Sequence, residues 1–134
     1  MEHKRTVRKA VLIDDSEIDL FIQKRFLEVS HFSEELVMYN SANEALSRLK
    51  SEQSPPDVIF LDLNMPDEDG LTFLRNFNNL PTLVTTRSKI VVLTSSESQA
   101  ERDQVFSFKQ VIHFITKPLK NTDIEDLKRI ILNI

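Results

Sequence analysis

The 134 residues carry 17 Lys+Arg against 21 Asp+Glu for a formal charge of −4, and their 40% hydrophobic and 28% charged content fits one globular domain rather than a disordered tail. The absence of cysteine excludes disulfides, thiolate metal sites and cysteine nucleophiles, and a single glycine, Gly70, excludes the G-x-G-x-x-G turn and the P-loop. With no basic stripe beyond residues 3–9, only four apolar residues (10–13) near the start and no apolar run approaching the roughly 18 residues of a membrane span, the expectation is a cytoplasmic chain with no signal peptide, no membrane insertion and no nucleic-acid ligand.

Residues 10–13 are short, apolar and β-branched, which reads as a buried parallel strand. Ile18, Phe21, Ile22, Phe26 and Val29 then follow helical spacing, so this stripe is expected to face the core of a first helix. Leu20 and Leu27, seven residues apart, fall on the opposite side, where they suggest a docking face for a histidine-phosphotransfer helix or a kinase domain. A weaker strand run at 36–39 precedes a second helix, with Ser41 and Glu44 as a capping box and Ala42, Ala45, Leu46 and Leu49 as its apolar stripe. Residues 58–61 give a third strand, followed by a short helix from Leu71 to about Asn78. Residues 90–93 give a fourth strand, with Ser98 and Glu101 opening the next helix. Residues 111–115 give the fifth, followed by a helix whose box is Thr122 and Glu125 and whose stripe is Ile124, Leu127 and Ile131. Five strand–helix units in succession predict a doubly wound α/β domain: a parallel sheet with five helices on its two faces.

Such sheets bind ligands beyond the carboxyl ends of their strands. Those positions hold Asp14 and Asp15 after the first strand and Asp62 after the third. They hold Thr94, Ser95 and Ser96 after the fourth, and Lys117 before Pro118 after the fifth. Three converging carboxylates repel one another unless a cation is present. Mg²⁺ accepts an all-oxygen shell and commonly completes it with phosphate oxygens. Asp62 then reads as a nucleophile forming an acyl phosphate, with Lys117 and the metal neutralising the transferring oxygens and the Thr94 hydroxyl donating to one of them. Taken singly, the same residues have plainer readings. Asp14 and Asp15 could cap the first helix, Asp62 and Met65-Pro66 could be turn residues, Lys117 could be solvated, and Ser96 is assigned to capping the helix after the fourth strand. It is their joint occurrence that points to a site. His3, His31 and His113 show no metal-ligand spacing and read as ordinary surface or core residues.

The segments LIDDSEIDLF, VIFLDLNMPDEDGL, IVVLTSS and FITKPL, in this order and spacing, resemble bacterial response-regulator receiver domains across nearly the whole chain. The D-x-N-M-P-x-x-x-G block is the most specific part. The resemblance implies a flavodoxin-like five-stranded sheet in the order 2-1-3-4-5, as in the single-domain chemotaxis response regulator. It implies that Asp62 is the phosphoacceptor, that Asp14, Asp15, Asp62 and the backbone carbonyl of Asn64 hold Mg²⁺, and that Lys117 pairs with the phosphoryl group. It makes Thr94 and Phe114 the switch residues and the Lys117–Pro118 bond cis.

Three positions depart from the family pattern. Phe114 replaces the common tyrosine and has no hydroxyl, Ser95 stands where a smaller residue is usual, and Phe108-Lys109-Gln110 replaces a Gly-Ala stretch before the fifth strand. The expected function is a stand-alone receiver, without an output domain, that takes a phosphoryl group from a sensor histidine kinase or histidine-phosphotransfer domain. It would signal to a protein partner through the face of the helix after Ser98, the fifth strand and the last helix. The alternatives are a phosphate sink or relay intermediate and a phosphorylation-independent binding module. A haloacid-dehalogenase-type phosphatase ranks last, because Asn64 stands where its second carboxylate would be needed.

Overall fold

The computed structural model describes residues 6–65 and 70–132. His3, Pro66 and positions 67–69 of the D-x-N-M-P-x-x-x-G block lie outside the described residues. The apolar runs become the strands β1 (Val7–Ile13), β2 (Ser33–Tyr39), β3 (Val58–Asp62), β4 (Lys89–Thr94) and β5 (Val111–Thr116). They form one parallel sheet in the order β2-β1-β3-β4-β5, as expected.

Alternation along each central strand divides the interior in two. Val11, Ile13, Ile59, Leu61, Ile90 and Val92 point into one core, and Ala10, Leu12, Val58, Phe60, Val91 and Leu93 into the other. The first core is closed by α2 (Ala42–Lys50), α3 (Gly70–Phe77), α4 (Thr82–Arg87) and α5 (Gln99–Phe106). The second is closed by α1 (Glu17–Val29) and α6 (Asn121–Leu132).

The described residues thus form six helices where five were expected. The additional one, α4, has the sequence TLVTTR, whose β-branched residues disfavour a helix on propensity alone. Burial of Val84 in the first core outweighs that preference, and the Thr86 hydroxyl bonds back to the Thr82 carbonyl at 2.7 Å.

Helix α1 is rotated by half a turn from the sequence expectation. Leu20 and Leu27 are buried in the second core, at 6% and 2% exposure, so they form no docking face. Ile18, Phe21, Ile22 and Val29 are the exposed residues instead, at 42% to 72%. The inward stripe is Leu20, Gln23 and Leu27, and a glutamine in its middle hides it from any count of apolar residues. The remaining caps are mostly as read. Ser41 and Ser98 accept from the N–H groups of Glu44 and Glu101. The last helix starts earlier than its Thr122 box predicts. Asp123 accepts the Lys120 N–H, and the Lys120 carbonyl takes the first helical bond.

Candidate functional site

Parallel pairing brings the ends of β1, β3, β4 and β5 to one edge of the sheet. Asp62 stands opposite Leu93, and Thr94 opposite Thr116, so each strand delivers its next residues to the same level. One carboxylate oxygen from each of Asp14, Asp15 and Asp62 lies within 4.8 Å of the others. Asp14 and Asp62 are buried and Asp15 is half-buried. The Lys117 ammonium lies 3.0 Å from Asp14 Oδ2, 2.9 Å from Asp19 Oδ2 and 3.3 Å from Asp62 Oδ1. The peptide bond that follows it, to Pro118, is cis, as the resemblance implies. All four charged residues singled out in the sequence therefore meet.

Asp14 is held from several sides. Its Oδ1 accepts the Ser16 N–H at 2.9 Å, and its Oδ2 accepts Gln23 Nε2 at 3.2 Å as well as Lys117. The capping reading of the acidic pair is only partly met, since the N-cap of α1 is Ser16, which accepts the Asp19 N–H. Asp62 accepts the Asn64 N–H at 3.2 Å through Oδ1. Among the described residues, that bond and the Lys117 contact both fall on Oδ1.

The charge balance is uneven. Burial and the nearby Asp14 charge push the Asp62 carboxyl up to about 6, against the opposing pull of Lys117 and the Asn64 N–H. Burial works against the Lys117 charge, but hydrogen bonds to Asp19 and Asp14 and the carboxylate charges outweigh it and hold the ammonium above its ordinary value. One cation does not offset the clustered anions. Three hard oxygen donors at this spacing, with one carboxyl reluctant to ionise, fit a divalent ion such as Mg²⁺.

Thr94 is fully buried, and its hydroxyl lies 2.5 Å from Asn64 Oδ1 and 3.1 Å from Glu101 Oε1. Ser95 is exposed and contributes both its N–H and its hydroxyl to the same Asn64 oxygen. Ser96 does not cap α5. That position belongs to Ser98, and the Ser96 Oγ accepts the Ser98 N–H at 3.1 Å. Phe114 is packed inward at 7% exposure, 6.4 Å from the Phe106 ring, with the Arg102 guanidinium 5.3 Å from its centre.

Three residues with site contacts escaped the sequence reading, Asp19, Gln23 and Arg102, and a fourth, Glu101, was read only as a helix-start residue. Asp19 and Gln23 are four apart on α1, a spacing that puts both beside the acidic pair once the helix is correctly rotated. Neither remaining histidine joins the site. His31 follows the Ser30 C-cap of α1 at φ 53°, in the left-handed region, and half-buried His113 lies on β5, where burial lowers its basicity.

Residues 10–129 match the family described as response regulator receiver domain. Response regulator Rcp1 of Synechocystis is 30% identical over 129 residues, covering 92% of this chain and 84% of that protein. A protein-glutamate methylesterase/protein-glutamine glutaminase of Rhodospirillum rubrum is 38% identical over 112 residues, which is 82% of this chain but only 28% of that protein. The crystal structure of a two-component response regulator from Cytophaga hutchinsonii has a TM-score of 0.85 at 25% identity, covering 96% of this chain and 99% of that one.

Proposed function

This chain belongs to the response regulator receiver domain family, and on that premise we propose that it is a phosphoacceptor that takes a phosphoryl group from a phosphohistidine onto Asp62. The observation that carries this reading is the meeting of Asp14, Asp15 and Asp62 within 4.8 Å, with Lys117 on Asp62 Oδ1. Among the described residues the Asn64 and Lys117 contacts both fall on Oδ1, and Oδ2 is assigned as the attacking oxygen. It forms a bond to phosphorus while the P–N bond to the donor imidazole breaks, and the electron pair of that bond returns to the nitrogen. Lys117 pairs with the phosphoryl oxygens, and the Thr94 hydroxyl donates to one of them once it turns from its present acceptors. Asp14, Asp15, Asp62 and the Asn64 carbonyl would hold Mg²⁺, which when bound supplies positive charge to the same oxygens.

The donor is a histidine kinase or histidine-phosphotransfer domain, and the corrected orientation of α1 gives it a landing face. Ile22 borders both an apolar groove made with Phe21, Arg25, Phe26 and Val29 and the cleft of Asp19, Gln23, Lys117 and Leu119. A helix lying on this face is thereby continuous with the acidic site. Output follows from a shift in population. A phosphoryl group that draws Thr94 toward Asp62 changes the packing of α5 and Phe114, and so the surface of α5, β5 and α6 offered to a protein partner.

Incubation with labelled acetyl phosphate and Mg²⁺ tests the acceptor. One base-labile phosphoryl group per chain is expected on wild type and none on Asp62→Asn. Equal labelling of the variant would refute the assignment.

A further inference from the structure

The sequence Ser98-Gln99-Ala100-Glu101 opens α5 as a capping box, yet only half of the box forms. Ser98 Oγ accepts the Glu101 N–H at 3.2 Å. In the complete motif the glutamate side chain reaches back to the N-cap N–H. Here Ser96 Oγ already accepts that N–H at 3.1 Å. The Glu101 carboxylate, relieved of the usual task, turns instead onto the Thr94 hydroxyl at 3.1 Å.

Thr94 has one hydroxyl proton and two acceptors within reach. The first is Asn64 Oδ1, whose identity as the oxygen end of the amide is fixed by the Ser95 N–H, which can only donate to it. The second is Glu101 Oε1. The Ser96 N–H donates to Thr94 Oγ1 from the other side at 3.0 Å, so the hydroxyl has no rotation that escapes this frame without breaking a bond. A phosphoryl group on Asp62 has to take the same proton. An anionic acceptor makes roughly twice as strong a bond as a neutral one, so Glu101 is a substantial competitor.

We propose that Glu101 is a positioning residue that holds the Thr94 hydroxyl in the unphosphorylated arrangement, so that loading of Asp62 must displace it. This rests on the phosphoacceptor reading of Asp62 and adds to it a residue that sets how readily the loaded state is reached. The next residue, Arg102, lies over Phe114, so displacing Glu101 from Thr94 disturbs the same turn of α5 that covers the second switch residue.

The test is a titration of the intact chain with beryllofluoride in Mg²⁺, followed by amide NMR, on wild type, Glu101→Ala, Glu101→Gln, Thr94→Val and the Glu101→Ala/Thr94→Val double variant. Glu101→Gln keeps the length of the side chain and a residue suited to the helix start, which guards against loss of α5. Glu101→Ala is expected to bind about tenfold more tightly than wild type and Glu101→Gln about threefold, from the loss of a charge-assisted bond. The gain should vanish in the Thr94→Val background, a coupling that a purely structural role at the helix start would not produce. Unchanged or weaker binding by both Glu101 variants, in a wild type that does bind, overturns the role of Glu101 alone. An equal gain with and without Thr94 also overturns it, leaving only charge repulsion. Absence of Mg²⁺-dependent binding by wild type overturns the phosphoacceptor reading and this inference with it.

Discussion

Replacing Asp62 with asparagine is expected to stabilise the fold at about pH 8 in the presence of a chelator. Burial first, and then the Asp14 charge, raise the Asp62 carboxyl from 3.8 to about 6, so the native state holds this proton more tightly than the unfolded chain does. Ionised Asp62 therefore opposes folding. The penalty is complete above about pH 6, fades as pH falls toward 3.8, and is absent below that, where both states are protonated. A displacement of roughly two pH units corresponds to roughly 3 kcal/mol. Asparagine escapes the penalty but packs an amide against Lys117, so a gain of about 1–3 kcal/mol is the expected range, or about 3–5 °C in Tm per kcal/mol for a chain of this size. Urea unfolding followed by far-UV circular dichroism suits a chain without tryptophan. The gain should shrink to a few tenths of a kcal/mol at about pH 4. Saturating Mg²⁺ should also narrow it, by about 2.7 kcal/mol at a hundredfold excess over Kd, since the ion stabilises the carboxylate-bearing wild type preferentially. A variant no more stable than wild type at about pH 8, or a gain as large at about pH 4, would refute the reasoning.

Other substitutions test separate parts of the structure. Leu27→Ala should cost about 2–5 kcal/mol in urea unfolding, whereas Phe21→Ser on the opposite side of α1 should stay within about 0.5 kcal/mol; the reverse ranking would restore the orientation read from the sequence. Phe21→Ser should slow phosphoryl transfer from a histidine-phosphotransfer domain while leaving labelling by acetyl phosphate unchanged, and equal effects on both donors would remove this face from docking. Gln23→Leu keeps the volume but removes the donor to Asp14 Oδ2, so Mg²⁺ affinity measured by calorimetry should fall about tenfold. Gly70→Ala would set a Cβ 2.8 Å from Leu63 Cα and 3.0 Å from its carbonyl oxygen, both backbone atoms, and should cost about 1–3 kcal/mol by chemical denaturation.

The sheet was legible because its central strands are buried on both faces, which writes them as apolar runs ending abruptly in polar residues. That abrupt ending also exposed Asp14, Asp62, Thr94 and Lys117, since parallel strands deliver all four to one edge. Helix α1 was misread for a physical reason. It carries apolar residues on two sides, and its inward stripe contains Gln23, buried not for packing but to donate to Asp14. Helix α4 was missed because tertiary burial of Val84 decides a segment whose local propensity points elsewhere. Glu101 was read correctly as a helix-start residue, but its contact with Thr94 depends on Ser96 taking the Ser98 N–H first. Sequence spacing does not encode such competition for a single donor.

The misreading of α1 lies where the proposed chemistry overrides the ordinary rules of packing. A helix designed only for stability would place a leucine at position 23 and leave its outer side polar. Here the inner side gives up an apolar residue to orient Asp14, and the outer side exposes Ile18, Phe21, Ile22 and Val29 next to the cleft that holds Lys117. The acidic centre departs in the same way, since burial and the neighbouring Asp14 charge, only partly answered by Lys117, leave Asp62 protonated more readily than in water. A deficit of positive charge and an excess of exposed apolar surface are each destabilising alone. Together they are what a site needs if it is to be completed by a divalent ion and by a helical partner carrying the phosphoryl group, and α1 serves both, with Gln23 donating to Asp14 and Ile22 beside the cleft that holds Lys117.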